Sequence, residues 1–420
     1  MIAINLYLSA YIGFYLLSTG LDLAVDKLNA THLEKYGNRV PHVFKGIIDT
    51  QELAKISRYT LNNIRFTRVR TSTAKIIFLF IILFGIPPWL SRSLAQINFV
   101  LAGLIFFAVL GLMSGIVELP FDFYHSFIIE ERFGFNTRTY KIWILDLAKS
   151  VLLLAVLGGI LLTGLLLMIR YTGNIWWIWA WAFFMSFQLL MTVLYPTVIA
   201  PMFNKFTPLE SPDLKRKIKH LVKTAGFYVE GIYQMDATRR TRHTNAYFSG
   251  LGKTKRIVLF DSLITSHSQD EILAIVAHEI GHLKKNHIKK QIMIAGIVSL
   301  FLFYLTSKLL ISPVMYASFG FQSISLYAGL FLVAAIWEPV SFFLSPFGRA
   351  ISRRFEREAD LYALGALKTA KPLSMALKKM AAKNLANLQP HPLHVLLNYS
   401  HPPFIERIEH LERAGSHHPR

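Results

Sequence analysis

Seven apolar runs, each nearly free of charge, constrain this chain more than any other feature: Ile2 to Gly20, Ile76 to Leu90, Phe99 to Val117, Val151 to Ile169, Ile175 to Val198, Ile292 to Ser307 and Leu326 to Leu344. The hydrocarbon core of a bilayer is about 30 Å thick and takes about 20 helical residues to cross. Backbone amides find no water there, so runs of this length must be helices. The second and sixth are short, and are read as tilted, extended at their ends or partly interfacial. Composition agrees, since 53% of the 420 residues are hydrophobic and only 17% are charged, outside ordinary soluble usage. No Lys or Arg precedes Lys27. The first run therefore lacks the basic start of a cleavable signal peptide and is expected to be a retained helix.

The formal net charge of +20 invites a nucleic-acid partner, but its placement argues against one. Ten basic residues, from Lys27 to Lys75, separate the first two runs, and only Arg92 separates the next two. Arg132, Arg138, Lys141 and Lys149 follow the third run, Arg170 alone the fourth, a long basic segment the fifth, and Lys308 lies near the sixth. Rich and poor connections alternate strictly. By the positive-inside rule the N-terminus is outside or luminal, the C-terminus cytosolic, and the number of crossings odd. No basic segment carries the interleaved aromatics of a single-strand binder, so the expected partners are the lipid bilayer and a substrate, with no nucleic acid. The chain has no cysteine. Disulfides, thiol catalysis and Cys-bound metals are excluded, and any transition metal must use His and carboxylates.

Four parts are expected. Residues 1-199 form a membrane region with five spans and a cytosolic helical loop at 21-73, and 200-290 begin a soluble domain. Residues 291-345 hold the last two spans, and 346-420 complete the domain with a terminal helix. Asp49 is a candidate N-cap for the loop helix, and Ser211 or Asp213 for a helix running to about Thr224. "NAYFSG" and "RIVLF", separated by "LGKTK", read as a hairpin. A helix from about Ser268 to Lys290 follows, opened by the cap and first-turn acids of "SQDEI". The closing "GSHHPR" reads as a polar tail.

That last helix contains "VAHEIGHLKKNH". His278 and His282 are four residues apart and share one helical face, so both imidazoles can reach one Zn²⁺. Glu279 projects beside them without ligating, where it can hold and deprotonate a metal-bound water. An ordinary helix with two packed histidines is the alternative. A catalytic zinc needs a third protein ligand and an open position. The pattern that would place a His at 288 fails, because Ile288 stands there. His287 lies about 140° around the helix from His282 and is poorly placed. "SRRFEREADLYALGAL" offers Glu356 as a ligand, with Asp360 one turn on to accept the N–H of a ligating His, while Glu358 faces elsewhere. A surface salt bridge from Glu356 to Arg353 or Arg357 is the competing reading. The strand holding Asn245, Ala246 and Tyr247 could take an extended peptide on a free edge. His401 in "YSHPP" could donate to an oxyanion, or be only a turn residue. Glu338 inside the seventh run and Glu118 at the end of the third are costly at such depth, and face a wet interior or pack protonated between helices.

The stretches "YTLNNIRF", "LPFDFYHSFIIEERFGFN", "NAYFSGLGKTKRIVLFDSLI", "VAHEIGHLKKNH", "SRRFEREAD" and "YSHPPFIERI" occur in that order. In them the chain resembles the type I CAAX prenyl proteases, integral-membrane zinc metalloproteases, over nearly its full length. The resemblance implies a multi-pass α-helical membrane protein. About seven transmembrane helices enclose a water-filled chamber, and a mainly helical zinc domain with a small hairpin or sheet lies at its cytosolic end. It implies one Zn²⁺ per chain held by His278, His282 and Glu356, with Glu279 as base and Asp360 as support. It also implies Asn245 and its strand at the peptide, and His401 and Arg407 near the reacting carbonyl. The family's activity is removal of the three residues after a prenylated cysteine. A quality-control protease without a prenyl requirement and a non-proteolytic zinc scaffold or carrier are the other expectations. A bacterial inner membrane and the endoplasmic reticulum both suit the chain.

Overall fold

The computed structural model describes residues 5–250 and 255–416, so the start of the first run, most of "LGKTK" and the end of "GSHHPR" lie outside the described residues. The membrane part begins with α1 (Leu6–Tyr36), α2 (Thr50–Leu83) and α3 (Ile86–Ser93). It continues with α4 (Phe99–Phe133), α5 (Tyr140–Tyr171) and α6 (Gly173–Phe203). Asp49 caps α2 as expected, its carboxylate accepting from the Glu52 amide at 2.7 Å. The loop helix and the second span are thereby one helix. The short second run has a local cause: Gly85 adopts φ 70, and Pro87 and Pro88 open α3, which leaves α2 at 54°. α4 carries a π-helical stretch over His125–Glu130.

The chain then forms β1 (Phe206–Pro208), α7 (Pro212–Thr224), β2 (Gly231–Met235), β3 (Ala246–Ser249) and β4 (Arg256–Phe260). Ser211, rather than Asp213, caps α7. β3 and β4 pair antiparallel, as the hairpin reading requires. The sheet is larger than expected: β2 adds parallel to β4, and β1 antiparallel to β2, in the order β1-β2-β4-β3. Three and five residues of mixed polarity gave no period by which to recognise β1 and β2. Asn245 precedes β3 by one residue, and β3 is a sheet edge.

α8 (Gln269–Lys284) starts in a full capping box, Ser268 and Glu271 each serving the other's backbone amide. It does not reach Lys290. Asn286 adopts φ 55, a left-handed conformation that Asn tolerates better than other side chains. The chain turns there into α9 (His287–Leu309), the sixth span. α10 (Leu326–Leu367) is one helix of 42 residues that carries the seventh span and then Glu356 and Asp360. α11 (Lys371–Lys383) and α12 (Phe404–Ser416) complete the fold. Positions 290/291 and 345/346 thus fall inside continuous helices. Among the described residues six helices are long and apolar enough to cross a membrane, and the bent α2–α3 pair brings the number to seven if it is counted as one span.

At the far end from the N-terminus, one apolar core joins α8, α10, α11 and α12 through Ala277, Ala363, Leu377 and Ile408. Phe44 and Phe133 from two of the basic-rich connections enter the same core. Those connections and the HExxH helix therefore lie at one end of the molecule.

Candidate active site

The site is built where α8 crosses α10. Gly281 makes the close crossing possible: a Cβ there would stand 2.9 Å from the Cα of Ala359 and 3.0 Å from its carbonyl oxygen. With the backbones this near, residues at four-residue spacing on each helix meet across the seam. His278 and His282 come from one side, Glu356 and Asp360 from the other.

The Nε2 atoms of His278 and His282 are 3.2 Å apart. Glu356 places Oε1 3.3 Å from His282 Nε2 and Oε2 3.4 Å from His278 Nε2. Ligand atoms bound tetrahedrally at about 2.0–2.1 Å stand about 3.3 Å from one another, so the two imidazoles and the carboxylate, each of whose oxygens faces a different histidine, converge closely enough to hold one metal ion. Glu356 Oε2 is buried and has no hydrogen-bond partner, a costly arrangement that a cation between the three groups would relieve. Among the described residues these three form the group able to hold a metal.

Asp360 is 1% exposed and accepts from His278 Nδ1 at 2.8 Å. Arg407, reaching in from α12, donates to both Asp360 oxygens at 2.9 and 2.7 Å, and its remaining nitrogen lies 3.6 Å from Glu356. The guanidinium lines the cavity, but its hydrogen bonds are committed to Asp360. Burial disfavours charge on His278, yet the Asp360 and Glu356 carboxylates outweigh it and hold its protonation up to about 9.

Glu279 projects into the cleft beside the triad, where desolvation raises its carboxyl above the usual range, while His278 and His282 pull it down. The backbone amide of Phe248 on the edge strand β3 also pulls it down, so β3 lies alongside Glu279. Asn245 and Ala246 line a cavity of about 570 Å³ with the triad, Tyr399 and His401. Tyr247 does not join them, because its side chain alternates to the other face of the sheet, against Met235, Val258 and Phe260. His401 stands at the cavity mouth, Nε2 3.4 Å from Glu356 Oε1 and Nδ1 2.9 Å from the Ser400 hydroxyl.

Three participants escaped the sequence reading. Gly281 was unremarked, although a glycine inside a helix signals close approach. His287 is not in the metal group, and it does not lie on the same helix as His282. The break at Asn286, however, brings its Nδ1 to 3.0 Å from His282 Nδ1. Glu358 faces away from Glu356 and holds His287 Nε2 at 3.1 Å. An Asn at the end of a helical pattern was the available signal for that break.

Comparison with known proteins gives the same picture. Residues 29–205 match the family model "CAAX prenyl protease N-terminal, five membrane helices", and residues 208–414 match "Peptidase family M48". The chain is 33% identical to a CAAX prenyl protease 1 homolog of Arabidopsis thaliana over 97% of both chains. It is also 33% identical to CAAX prenyl protease 1 of Saccharomyces cerevisiae, over 89% of this chain and 88% of that one. A crystal structure of S. mikatae Ste24p superposes with a TM-score of 0.91 at 29% identity, covering 98% of this chain and all of the other. The chain belongs to the CAAX prenyl protease 1 family of M48 peptidases and is a multi-pass membrane metalloprotease.

Proposed function

We propose that the protein is a zinc endopeptidase that cuts prenylated, CAAX-type peptides at the cytosolic face of its membrane. The observation that carries this reading is the convergence of His278, His282 and Glu356, with separations of 3.2 to 3.4 Å, beside the edge strand of the sheet, Glu356 lying on a helix continuous with a membrane span. Two imidazoles and a carboxylate, with no thiolate in the chain, form the donor set of a hydrolytic zinc site. A zinc ion bound there supplies Lewis-acid polarisation of the scissile carbonyl and eases deprotonation of water.

The chain's own residues do the rest. An extended substrate adds to the outer edge of β3, with Asn245 and Ala246 fixing its register over Glu279. Glu279, its carboxyl raised by desolvation, accepts the proton of the attacking water and delivers it to the departing amine nitrogen. His401 turns its Nε2 from Glu356 toward the oxygen on which negative charge develops. Arg407 acts at short range through Asp360, and its positive charge lies beside the same centre. The basic-rich connections packed against the site support a cytosolic location for it. The prenyl group is the feature named in the relatives, and a substrate carrying one would be delivered along the membrane to a site held by α9 and α10.

The test is cleavage of a farnesylated CAAX peptide and its unprenylated twin by purified protein. Cleavage of the farnesylated peptide, lost with a chelator and reduced about 10²–10⁴-fold in Glu279→Gln with the metal retained, is expected. Equal cleavage of both peptides would replace lipid-dependent processing with general membrane-peptide turnover. No cleavage of either by zinc-loaded protein would sink the reading.

A further inference from the structure

The two histidines of the triad are supported in different ways. A His that binds metal through Nε2 carries its proton on Nδ1, and that N–H needs an acceptor to fix the ring and its tautomer. For His278 the acceptor is the buried carboxylate of Asp360. His282 has no carboxylate at Nδ1. It has the imidazole of His287, 3.0 Å away.

Two nitrogens at that distance share one hydrogen. With His282 binding through Nε2, the hydrogen is on His282 Nδ1, and His287 Nδ1 must accept it. Neutral His287 then carries its own hydrogen on Nε2, which lies 3.1 Å from Glu358 Oε2. The proton positions along Glu358, His287 and His282 are thus set by the metal-binding form of the last. The arrangement is built: His287 is 1% exposed, and its ring stacks on Phe355 at 4.2 Å and 9°, one residue before Glu356. The left-handed turn at Asn286 swings it back over the ligand it follows. Glu358 is anchored in turn by Arg354 at 3.0 Å.

We propose that His287, backed by Glu358, is a positioning residue that holds His282 in its metal-binding tautomer and orientation. This rests on the reading of His278, His282 and Glu356 as zinc ligands. That reading is checked separately: full-length wild-type protein in detergent must bind one zinc per chain, and failure there refutes the site itself.

Given that stoichiometry, zinc affinity is measured by competition with a chromophoric chelator, and the visible spectrum of the cobalt-substituted protein reports ligand geometry. His287→Phe keeps a ring against Phe355 but removes the acceptor, and should bind zinc about 10–100-fold more weakly, with a changed cobalt spectrum. His287→Asn loses the stacking but returns an acceptor oxygen near the place of Nδ1, and should recover most of the affinity. A mere packing role predicts the reverse order, so wild-type affinity in the Phe variant, or equal loss in both, overturns the proposal. If the Phe variant fails to fold, Glu358→Leu at the half-exposed end of the chain decides. A loss of about three- to tenfold supports the relay, and unchanged affinity refutes it.

Discussion

The two ends of α10 solve the problem of an inward-facing carboxylate differently. At the soluble end, Glu356 and Asp360 are buried, and Asp360 is enclosed by His278 and both arms of Arg407. At the membrane end, Glu338 meets a single charged partner among the described residues, Lys75 of α2. Its side chain remains 39% accessible. The surroundings differ too: in the six long apolar helices no more than 28% of the apolar window is buried within the protein, which leaves the rest to face lipid, whereas α8 is enclosed by neighbouring helices and a sheet. A fully enclosed charge requires partners fixed by several elements at once. One that still reaches space between the helices requires only a counter-charge. The buried chemistry is thereby held at the end where several elements meet.

The strongest way to break this comparison is to remove the central carboxylate. Asp360→Ala would leave the Arg407 guanidinium buried with its main counter-ion gone, a loss of about 3–5 kcal/mol. His278 would lose its acceptor as well. Thermal unfolding and zinc content measured on the same sample should both fall, and a variant that kept either would show that the enclosure is not what holds this end together.

Glycines sharpen the contrast along the same helices. Gly281→Ala drives a methyl into the backbone of Ala359 and should cost about 1–3 kcal/mol, outweighing the roughly 0.5–1 kcal/mol that Ala otherwise gains in a helix. Gly348, midway along α10, has nothing within 4 Å of its virtual Cβ. Gly348→Ala should therefore be neutral or stabilising by about 0.5 kcal/mol in urea or thermal unfolding. Equal responses at the two positions would mean that the close crossing is not tight.

Protonation tests the charged end from another side. In metal-free protein His278 stays protonated up to about 9, so below that pH a metal must displace its proton. Apparent zinc affinity should rise by up to about tenfold per pH unit toward 9, where it levels off. Proton release upon zinc uptake, measured by calorimetry in buffers of different ionisation enthalpy, checks it. A flat affinity between pH 6 and 8 would mean that the neighbouring carboxylates do not hold that proton.

How much of this could be read in advance follows the same division. The apolar runs were legible from their length and lack of charge, and the HExxH face and the Glu356–Asp360 pair from four-residue spacing on single helices. The joins were not. Nothing local says that α10 runs unbroken past Pro346 from membrane to site, or that β2 enters parallel beside β4. His287 was rejected as a ligand on helical angle. That angle assumed one helix to Lys290, whereas the helix ends at Lys284 and the turn at Asn286 brings His287 Nδ1 against His282.

A small effect is expected at Glu338. Glu338→Gln keeps an acceptor for Lys75 and removes the charge. Both side chains are partly accessible, so the cost should be about 1 kcal/mol, between the values for exposed and buried pairs. A double-mutant cycle with Lys75→Met, read by thermal stability in nanodiscs, would isolate the coupling. Glu338 precedes Glu356 by eighteen residues, about 27 Å along a helix. Zinc affinity should therefore be unchanged in Glu338→Gln, because no polar contact runs the length of α10 to carry the change. A loss of affinity comparable to that of Glu358→Leu would overturn the division drawn here. It would show that the Lys75–Glu338 pair sets the position of Glu356 through the helix itself, and that the two ends work as one lever.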